Sequence, residues 1–388
     1  MSDYQFHSSW DIFTSPYADW VLESTFGDPG FGYGRFSGRC LNLTNTGFGV
    51  QSLYRDIPTA NSYWIHFAYR QYVDPSHAFG VARPVFSIEK PSTSETLFKL
   101  VTRPGDYKLD CVAGSTTLTT NAVFTPGDNT DPTTGVWRSI EILYDASGDI
   151  KIYVDDVLDI DMNVTTSNHQ PERVRIFWQN IGDYGVNFDD FALKASSSVS
   201  AATLRDGPMR INNWLLGQDE VTGWGRVGAS SNAGCMHDHY GVTSSAPDGD
   251  TSFVQVTVPA TDLYTLQSGK FCSGRIITIG TVLVAKLISG TPKIKTVSRI
   301  DPTNALIYSI GPDQTLLTPY TIFHGYADMS PRTNDYWTDG EVEGGVWGIQ
   351  SLASGISRAT MLSVEKIQTL RKVAYTCGQL GSYSFLRK

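Results

Sequence analysis

The sequence predicts an all-β chain that folds as two β-sandwich domains in tandem, and two observations support this. Short runs of alternating apolar and polar residues are separated by clusters of Gly, Pro, Asn and Asp, which is the pattern of strands joined by turns. The composition also favours strands: the 388 residues include 36 Gly, 19 Tyr, 18 Phe and 9 Trp, and 18% are charged, below the usual ~25%. At ~150 residues per domain, the length indicates two domains.

The clearest strand pattern lies between Gly135 and Met162. Ile150, Ile152 and Val154 alternate with polar residues after the turn-forming sequence at 145–148. The pair Asp155-Asp156 then tolerates the positive φ angles of a tight hairpin, and the alternation resumes behind it. This stretch predicts a three-stranded antiparallel meander.

The same alternation predicts strands at intervals of ~8 to 12 residues along the rest of the chain. In the first half they are 40–43, 47–54, 63–70, 78–88, 96–102, 107–112, 116–121, 174–178 and 186–193. In the second half they are 253–258, 263–266, 276–287, 293–300, 306–310, 320–326, 346–349 and 360–364. Residues 365–374 carry apolar residues at helical spacing and predict a short helix.

Composition sets the predicted domain limits. Residues 1–35 form an arm rich in glycine and aromatic residues, and 26–38 is too glycine-dense for regular structure. Residues 36–195 form the first sandwich. The small and polar sequence ASSSVSAA at 195–202 marks a linker, assigned to 196–212, and the second sandwich follows at 213–388.

The meander and the later sequence FDDFAL at 188–193 resemble the laminin-G-like, concanavalin-A-like jelly roll. The resemblance covers roughly Asp19 to Lys194, and it implies a fold more than an activity. Domains of this family sometimes bind Ca²⁺ at one rim. The resemblance therefore implies Asp189 and Asp190, which precede the closing strand, as candidate calcium ligands and calcium as the candidate cofactor.

A second resemblance covers about Asn213 to Val364. The segments SSAPDGDTSFVQV at 244–256 and NDYWTDGEVEGGVWGIQSL at 334–352 are similar to segments of β-sandwich proteins from tailed-bacteriophage particles. Gly348 stands where that pattern has Ser. The likeness implies a structural protein of a virion that is assembled in the cytoplasm of a host bacterium, and its motifs name no catalytic residue.

Charge and patterning limit the partners. The net charge of −9 disfavours nucleic acid and anionic membranes. We expect no secretory leader and no membrane insertion, because the longest apolar segment, 276–288, is shorter than the ~20 residues of a spanning helix. Five scattered cysteines, none in a C-x-x-C pair, predict free thiols.

Cys235, His237 and His239 alternate in the sequence, so on a strand they would share one face and could contribute to a zinc site. A closed site needs a fourth ligand, which the neighbouring sequence does not supply, and the alternative is surface histidines beside a buried thiol. Asp248 and Asp250 flank Gly249 and are interpreted as turn residues.

The number of aromatic residues exceeds what two cores need. Aromatic side chains on rims stack on sugars or anchor protein interfaces, and the candidate contact residues are Trp178, Tyr184, Trp224 and Trp337. Core packing is the alternative for each. The paired carboxylates of a glycosidase strand, E-x-D-x-x-E, do not occur, and Glu141 stands alone on its strand, so we expect no enzymatic activity.

The sequence therefore predicts a structural component of a tailed-phage particle that contacts other virion proteins and forms homo-oligomers. The alternative is an adhesion module of the virion that binds a glycan or receptor on the host surface. A carbohydrate-active hydrolase is the third hypothesis, and the missing carboxylate pair argues against it.

Overall fold

The computed structural model describes residues 4–8, 20–24, 30–33, 39–44, 49–73, 82–103, 105–128, 135–164, 169–180, 184–236, 250–267, 274–301 and 303–370. These residues form almost exclusively strands and turns, which confirms the all-β prediction. None of the helices in these ranges has the length and apolar character needed to cross a membrane.

The described residues of the first half form sixteen strands. They are β1 (Tyr4–Ser8), β2 (Val21–Ser24), β3 (Gly30–Tyr33), β4 (Arg39–Thr44), β5 (Gly49–Asp56), β6 (Ser62–Val73), β7 (Pro84–Lys90), β8 (Glu95–Arg103), β9 (Lys108–Ala113), β10 (Thr116–Thr119), β11 (Gly127–Asp128), β12 (Arg138–Asp145), β13 (Asp149–Val154), β14 (Val157–Asn163), β15 (Arg173–Asn180) and β16 (Tyr184–Ser196).

These strands form two sheets. One has the order β14-β13-β12-β6-β16-β4-β3, with β1 added to β16 and β11 to β6, and the other has the order β10-β9-β8-β7-β15-β5-β2. The described parts of the predicted N-terminal arm are therefore sandwich strands. The prediction that 26–38 lacks regular structure is wrong at Gly30–Tyr33, because pairing with β4 supplies the hydrogen bonds that a glycine-rich segment does not secure by itself.

The predicted meander is confirmed. Ile142 pairs with Ile152, and Ile152 pairs with Ile160, so the three apolar rows point into one core. Asp155 and Asp156 adopt φ angles of 49° and 71° at the hairpin turn. Both angles lie in the left-handed region that a tight two-residue hairpin requires.

In the second half, the part of the chain that the structure describes forms eleven strands and two short helices. They are β17 (Met209–Thr222), β18 (Gly225–Val227), α2 (Asn232–Cys235), β19 (Phe253–Val256), β20 (Thr261–Leu266), β21 (Ile276–Gly290), β22 (Lys293–Arg299), β23 (Tyr308–Ser309), β24 (Gln314–Thr315), β25 (Thr321–Ala327), α3 (Asp339–Gly344), β26 (Val346–Ser351) and β27 (Gly355–Thr369); α1 (Ala201–Leu204) precedes them.

Strand β17 joins the two layers of this half. Its residues 209–215 pair with β27, while Leu216 to Thr222 pair with β20. One layer contains β27 with β21, β25, β19 and β18, and the other contains β20, β26, β22 and the short β23 and β24. Trp214, Trp337 and Trp347 lie in one core cluster of this half, and Leu216 and Trp224 lie in another.

The predicted helix at 365–374 is wrong at residues 365–369, because β27 continues as a strand to Thr369, and residues 371–374 lie outside the described residues. It pairs with β21 along one edge and with β17 along the other, and its residues 359–368 are buried. A strand buried on both faces loses the alternation of polar residues, so its apolar spacing can imitate that of a helix.

Between Ser196 and Met209 the chain crosses from the first half to the second, and the described strands of the two halves share no sheet. This segment packs against the outer face of β12, β6 and β16. We call the resulting contact the interdomain joint, and its apolar part consists of Trp64, Leu143, Ala192, Ala201, Leu204, Met209, Ile211, Ile277 and Ile367.

Candidate functional site

The predicted calcium pair lies at a bulge in β16, in the interdomain joint. Asp189 and Asp190 are both buried, and Asp190 has a φ of 51°. The Asp189 carboxylate accepts a hydrogen bond from the Asp190 amide, and the Asp190 carboxylate accepts one from the Ile211 amide on β17, both at 2.9 Å. The Asp190 carboxylate therefore connects β16 to β17, whereas the Asp189 carboxylate bonds only within the bulge.

Neither the calcium hypothesis nor the zinc hypothesis gains support from the described residues. Among the residues that the structure describes, no three His, Cys, Asp or Glu side chains are grouped so that they could hold a metal ion. His237 and His239 lie outside the described residues. Cys235 does not lie on a strand, which was the condition for the zinc hypothesis, because it ends α2 and its buried thiol donates to the Val227 carbonyl at 3.3 Å.

Cys111 and Cys235 are buried free cysteines, as the sequence predicts for the thiols. Burial raises the pKa of both thiols. Both therefore remain protonated at neutral pH and are poor nucleophiles.

The predicted aromatic contact residues divide into two pairs. Trp224 and Trp337 are core side chains, and their indole nitrogens donate to the carbonyls of Ala260 and Ala327 at 3.2 and 2.7 Å. Neither ring is available as an exposed platform, which corrects the contact role predicted for them. Trp178 and Tyr184 lie on β15 and β16, and their side chains are outside the description.

Glu141, in the middle of β12, is buried in the interdomain joint. Its carboxylate accepts from Trp64 Nε1 at 3.0 Å and from Arg205 Nη2 at 2.7 Å, and Arg205 also contacts Asp156 at 2.6 Å. Desolvation raises the pKa of Glu141, while Arg205 opposes the rise. The Glu141 carboxylate thus forms an ion pair with Arg205 of the linker segment.

His66 connects the same two domains. Its Nδ1 donates to the carbonyl of Asp190 at 2.8 Å, and its Nε2 accepts from the Met209 amide at 3.3 Å and from Ser139 Oγ at 2.8 Å. Since a carbonyl can only accept and an amide can only donate, these partners select the neutral tautomer with the proton on Nδ1. His66 is therefore a structural histidine of the interdomain joint.

A different cluster faces solvent on the second domain, and we call it the Asp250 clamp. Asp250 Oδ2 contacts Lys286 Nζ at 2.6 Å, and Oδ1 accepts from Arg358 Nη1 at 2.9 Å and from the Tyr320 hydroxyl at 3.0 Å. The Asp250 side chain is 55% exposed. The hydrogen bond from Lys286, followed by those from Arg358 and Tyr320, lowers the pKa of Asp250 to about 2.

Strand register explains the position of the clamp. Lys286 on β21 pairs directly with Arg358 on β27, and Arg358 also pairs with Gln255 on β19. Tyr320 precedes β25, the other neighbour of β21. The sequence interpretation identified Asp250 as a turn residue and missed its partners, because no local motif links residues that meet only through strand pairing.

The first domain has a small cavity of about 30 Å³ lined by residues that include Glu95, Tyr144 and His169. His169 Nδ1 lies 3.0 Å from Glu95, and the Tyr144 hydroxyl donates to the His169 carbonyl at 3.1 Å. A volume of this size accommodates about one water molecule and excludes a sugar ring. The cavity is therefore not a ligand site.

Comparison with known proteins finds no matching family model and no matching curated protein. Solved structures with distant similarity include a sialidase (TM-score 0.36, 12% identity, 46% of this chain and 17% of that one). Others are the Emp47p carbohydrate recognition domain (0.33, 14%, 50% and 100%) and the botulinum neurotoxin type G receptor binding domain (0.34, 11%, 83% and 79%). The chain thus spans about a sixth of the sialidase, and similarity at this level assigns neither family nor function.

Proposed function

We propose that this chain is a non-catalytic adhesion module that binds a surface receptor or glycan through the exposed end of its second domain. The observation that carries the proposal is the Asp250 clamp, in which an ammonium, a guanidinium and a phenol converge on a solvent-exposed carboxylate. Paired charges and neutral hydrogen-bonding groups of this kind recognise polar ligands at protein surfaces.

The scaffold suits presentation of such a surface. Ile277 lies in the interdomain joint, whereas Lys286 lies nine residues further along the same strand. At ~3.3 Å per residue, the clamp is therefore about 30 Å from the joint. At the other end of the second domain, the contact of Glu141 with Arg205 attaches the first domain to the linker. The contact of Asp190 with the Ile211 amide attaches it to β17.

Two buried acids, Glu141 and Asp262, support binding over catalysis because each already accepts hydrogen bonds from groups of the fold. Glu141 neutralises Arg205, and Asp262 accepts hydrogen bonds from the amides of Gly223 and Trp224 at 2.6 and 2.7 Å. A general acid or nucleophile must be within reach of substrate. These carboxylates face protein donors instead.

The test is binding of the full chain to a glycan array and to candidate host cells. We expect binding that Arg358→Ala weakens at least tenfold. Arg173→Ala is a matched control, because Arg173 pairs with Asp56 at 2.7 Å and lies over Tyr54 on the first domain, and we expect it to bind as wild type. Folded protein that binds neither glycans nor cells would refute the proposal.

A second candidate is assembly into a tailed-phage particle. The exposed aliphatic side chains of Val157 (68%) and Leu158 (45%) support the protein contact that assembly needs, since a partner that covers them removes apolar surface from water. Electron microscopy of purified particles with an antibody against the second domain tests it. Label on head, neck or tail is expected, and unlabelled particles from a source that makes the protein would exclude this function.

A further inference from the structure

The Asp250 clamp has the geometry of a receptor for a carboxylate. Three donors on three different segments, Lys286 Nζ, Arg358 Nη1 and the Tyr320 hydroxyl, lie within 2.6 to 3.0 Å of the two oxygens of one carboxylate. Charge-assisted hydrogen bonds from ammonium and guanidinium groups are about twice as strong as neutral ones. The donors therefore match the chemistry of an anion with two oxygens.

The donors are held by contacts that do not involve Asp250. Arg358 Nε donates to Gln255 at 2.8 Å, and its guanidinium lies 4.0 Å from the centre of the Phe253 ring. Lys286 Nζ lies 4.3 Å from the centre of the Tyr320 ring. Because the two cations are positioned by strand pairing, ring faces and an amide, they would stay in place if the Asp250 carboxylate moved away.

Charge balance favours an anionic ligand. Lys286 and Arg358 carry two positive charges and Asp250 carries one negative charge, so the clamp is positive on a chain whose net charge is −9. Lys286 and Arg358 are largely buried, with 13% and 25% of their side chains exposed, whereas Asp250 is 55% exposed. The carboxylate is thus the member of the clamp most readily exchanged with a group from solvent.

We propose that the clamp binds the carboxylate of an acidic sugar and that Asp250 is a built-in competitor for the same donors. This inference rests on the proposed adhesion function and names its ligand class. The site offers one carboxylate position, flanked by the neutral Tyr320 hydroxyl and the Gln255 amide. An acidic sugar carries one carboxylate among neutral hydroxyl groups, which matches this arrangement of the site. An acidic peptide segment would bring several negative charges, for which the described residues of the clamp have no further cations.

The experiment measures the dissociation constants of the full chain for immobilised oligosaccharides ending in glucuronic or sialic acid, and for their carboxyl-reduced counterparts. We expect wild type to bind at least one acidic form at least tenfold more tightly than its reduced form. Arg358→Ala should weaken binding of the acidic form at least tenfold. Asp250→Ala should tighten it about three- to tenfold, because the internal competitor is gone. Asp56→Ala, which removes the matched carboxylate beside Arg173, should leave it unchanged.

The sign of the Asp250→Ala effect is decisive. Weaker or unchanged binding of the acidic form by a folded Asp250→Ala variant would overturn the competitor role. Equal binding of acidic and reduced sugars would overturn the ligand class while leaving the adhesion function intact. An acidic peptide that binds wild type while no acidic sugar does would likewise overturn the proposed ligand. Absence of binding to glycans, peptides and cells alike would overturn the adhesion function as well.

Discussion

Single buried carboxylates determine much of the local geometry of the second domain. Asp262 on β20 accepts from the amides of Gly223 and Trp224, from Asn232 Nδ2 at 2.7 Å and from the Tyr264 hydroxyl at 2.9 Å. Desolvation raises the pKa of Asp262, and the four donors oppose that rise. One side chain thus positions the turn after β17, the start of α2 and a core tyrosine.

Asp262→Ala should therefore destabilise the chain by about 3 to 5 kcal/mol, because it leaves four buried donors without their acceptor and each costs about 1 kcal/mol or more. The measurement is urea unfolding followed by tryptophan fluorescence. Tyr264→Phe, which removes one of the four donors, is the matched control with an expected loss of about 1 kcal/mol. A loss below 1 kcal/mol for Asp262→Ala would contradict this role.

The Asp250 ion pairs make the free energy of unfolding depend on pH, because the pKa of Asp250 is lowered, whereas that of the buried Asp262 is raised. The pKa of Asp250 is lowered to about 2 in the folded chain, against about 3.9 for an unfolded Asp, so its ion pairs contribute stability above about pH 4 that is lost as the pH falls toward 2. Because the group is exposed, the contribution is at most about 1 kcal/mol.

The difference in Tm between wild type and Asp250→Asn should stay constant from pH 7 to pH 5 and shrink below pH 4. Differential scanning calorimetry at a series of pH values measures it. A difference that grows on acidification would have the wrong sign for a carboxylate stabilised in its charged form.

At the scale of elements, α3 shows how a short helix is held in an all-β domain. Thr338 Oγ1 accepts from the Glu341 amide at 3.2 Å, and the Glu341 carboxylate accepts from the Thr338 amide at 3.0 Å, which is a capping box. Ser330 Oγ donates to the other Glu341 oxygen at 2.8 Å. The sequence WTDGE at 337–341 is thus a helix start, and Trp337 anchors it in the core.

Thr338→Ala should lower the free energy of unfolding by about 0.5 to 2 kcal/mol, the usual cost of losing such a cap. Thr338→Ser keeps the hydroxyl oxygen and should cost less than half as much. Chemical denaturation of the three proteins side by side measures both values. Equal losses for the two variants would show that the methyl group of Thr338, rather than its hydroxyl, stabilises this segment.

The glycine at position 348 has a packing reason in β26. A Cβ at this position would collide with the backbone of Asp262 and Leu263 on the neighbouring strand β20. A serine therefore cannot be accommodated without a shift of β20 against β26. The glycine allows the two backbones to approach each other here.

At the scale of the whole molecule, the interdomain joint connects two sandwiches that share no sheet in the described strands. Arg205 enters it from the linker, contacts Glu141 and Asp156, and lies 3.8 Å from the centre of the Tyr153 ring. Lys194 and Asp206 form a further ion pair at 2.6 Å. Charged groups in this partly buried surface stabilise it only as complete pairs.

Arg205→Met should therefore cost about 2 to 4 kcal/mol at pH 7, because the buried Glu141 loses its cation. The loss should be smaller at pH 5. Burial raises the pKa of Glu141 in the folded state, so a proton on this carboxyl stabilises the folded chain at low pH. That stabilisation is lost as the pH rises through the folded pKa, where the variant is left with an unpaired buried charge. Urea unfolding at the two pH values measures the difference.

Arg138→Met is the control, since Arg138 forms an ion pair with Asp155 at 2.6 Å with 31% and 37% of the two side chains exposed. Arg138→Met should lower the free energy of unfolding by less than about 1 kcal/mol, and this loss should not become smaller between pH 7 and pH 5. If both variants lose the same small amount at both pH values, the Glu141 to Arg205 pair does not hold the interdomain joint.

The all-β class, the meander with its Asp155-Asp156 turn and most strand positions follow from the sequence alone, because alternation and turn residues act over a few neighbouring residues. The sequence could not determine the strand at the end of β27, whose hydrogen bonds come from two distant strands. It left both contact and core roles open for Trp224 and Trp337, which the structure buries, since an aromatic residue carries no local sign of what covers it. The Asp250 clamp and the interdomain joint required the tertiary structure, because both are made by residues from separate strands that only sheet register and packing bring together.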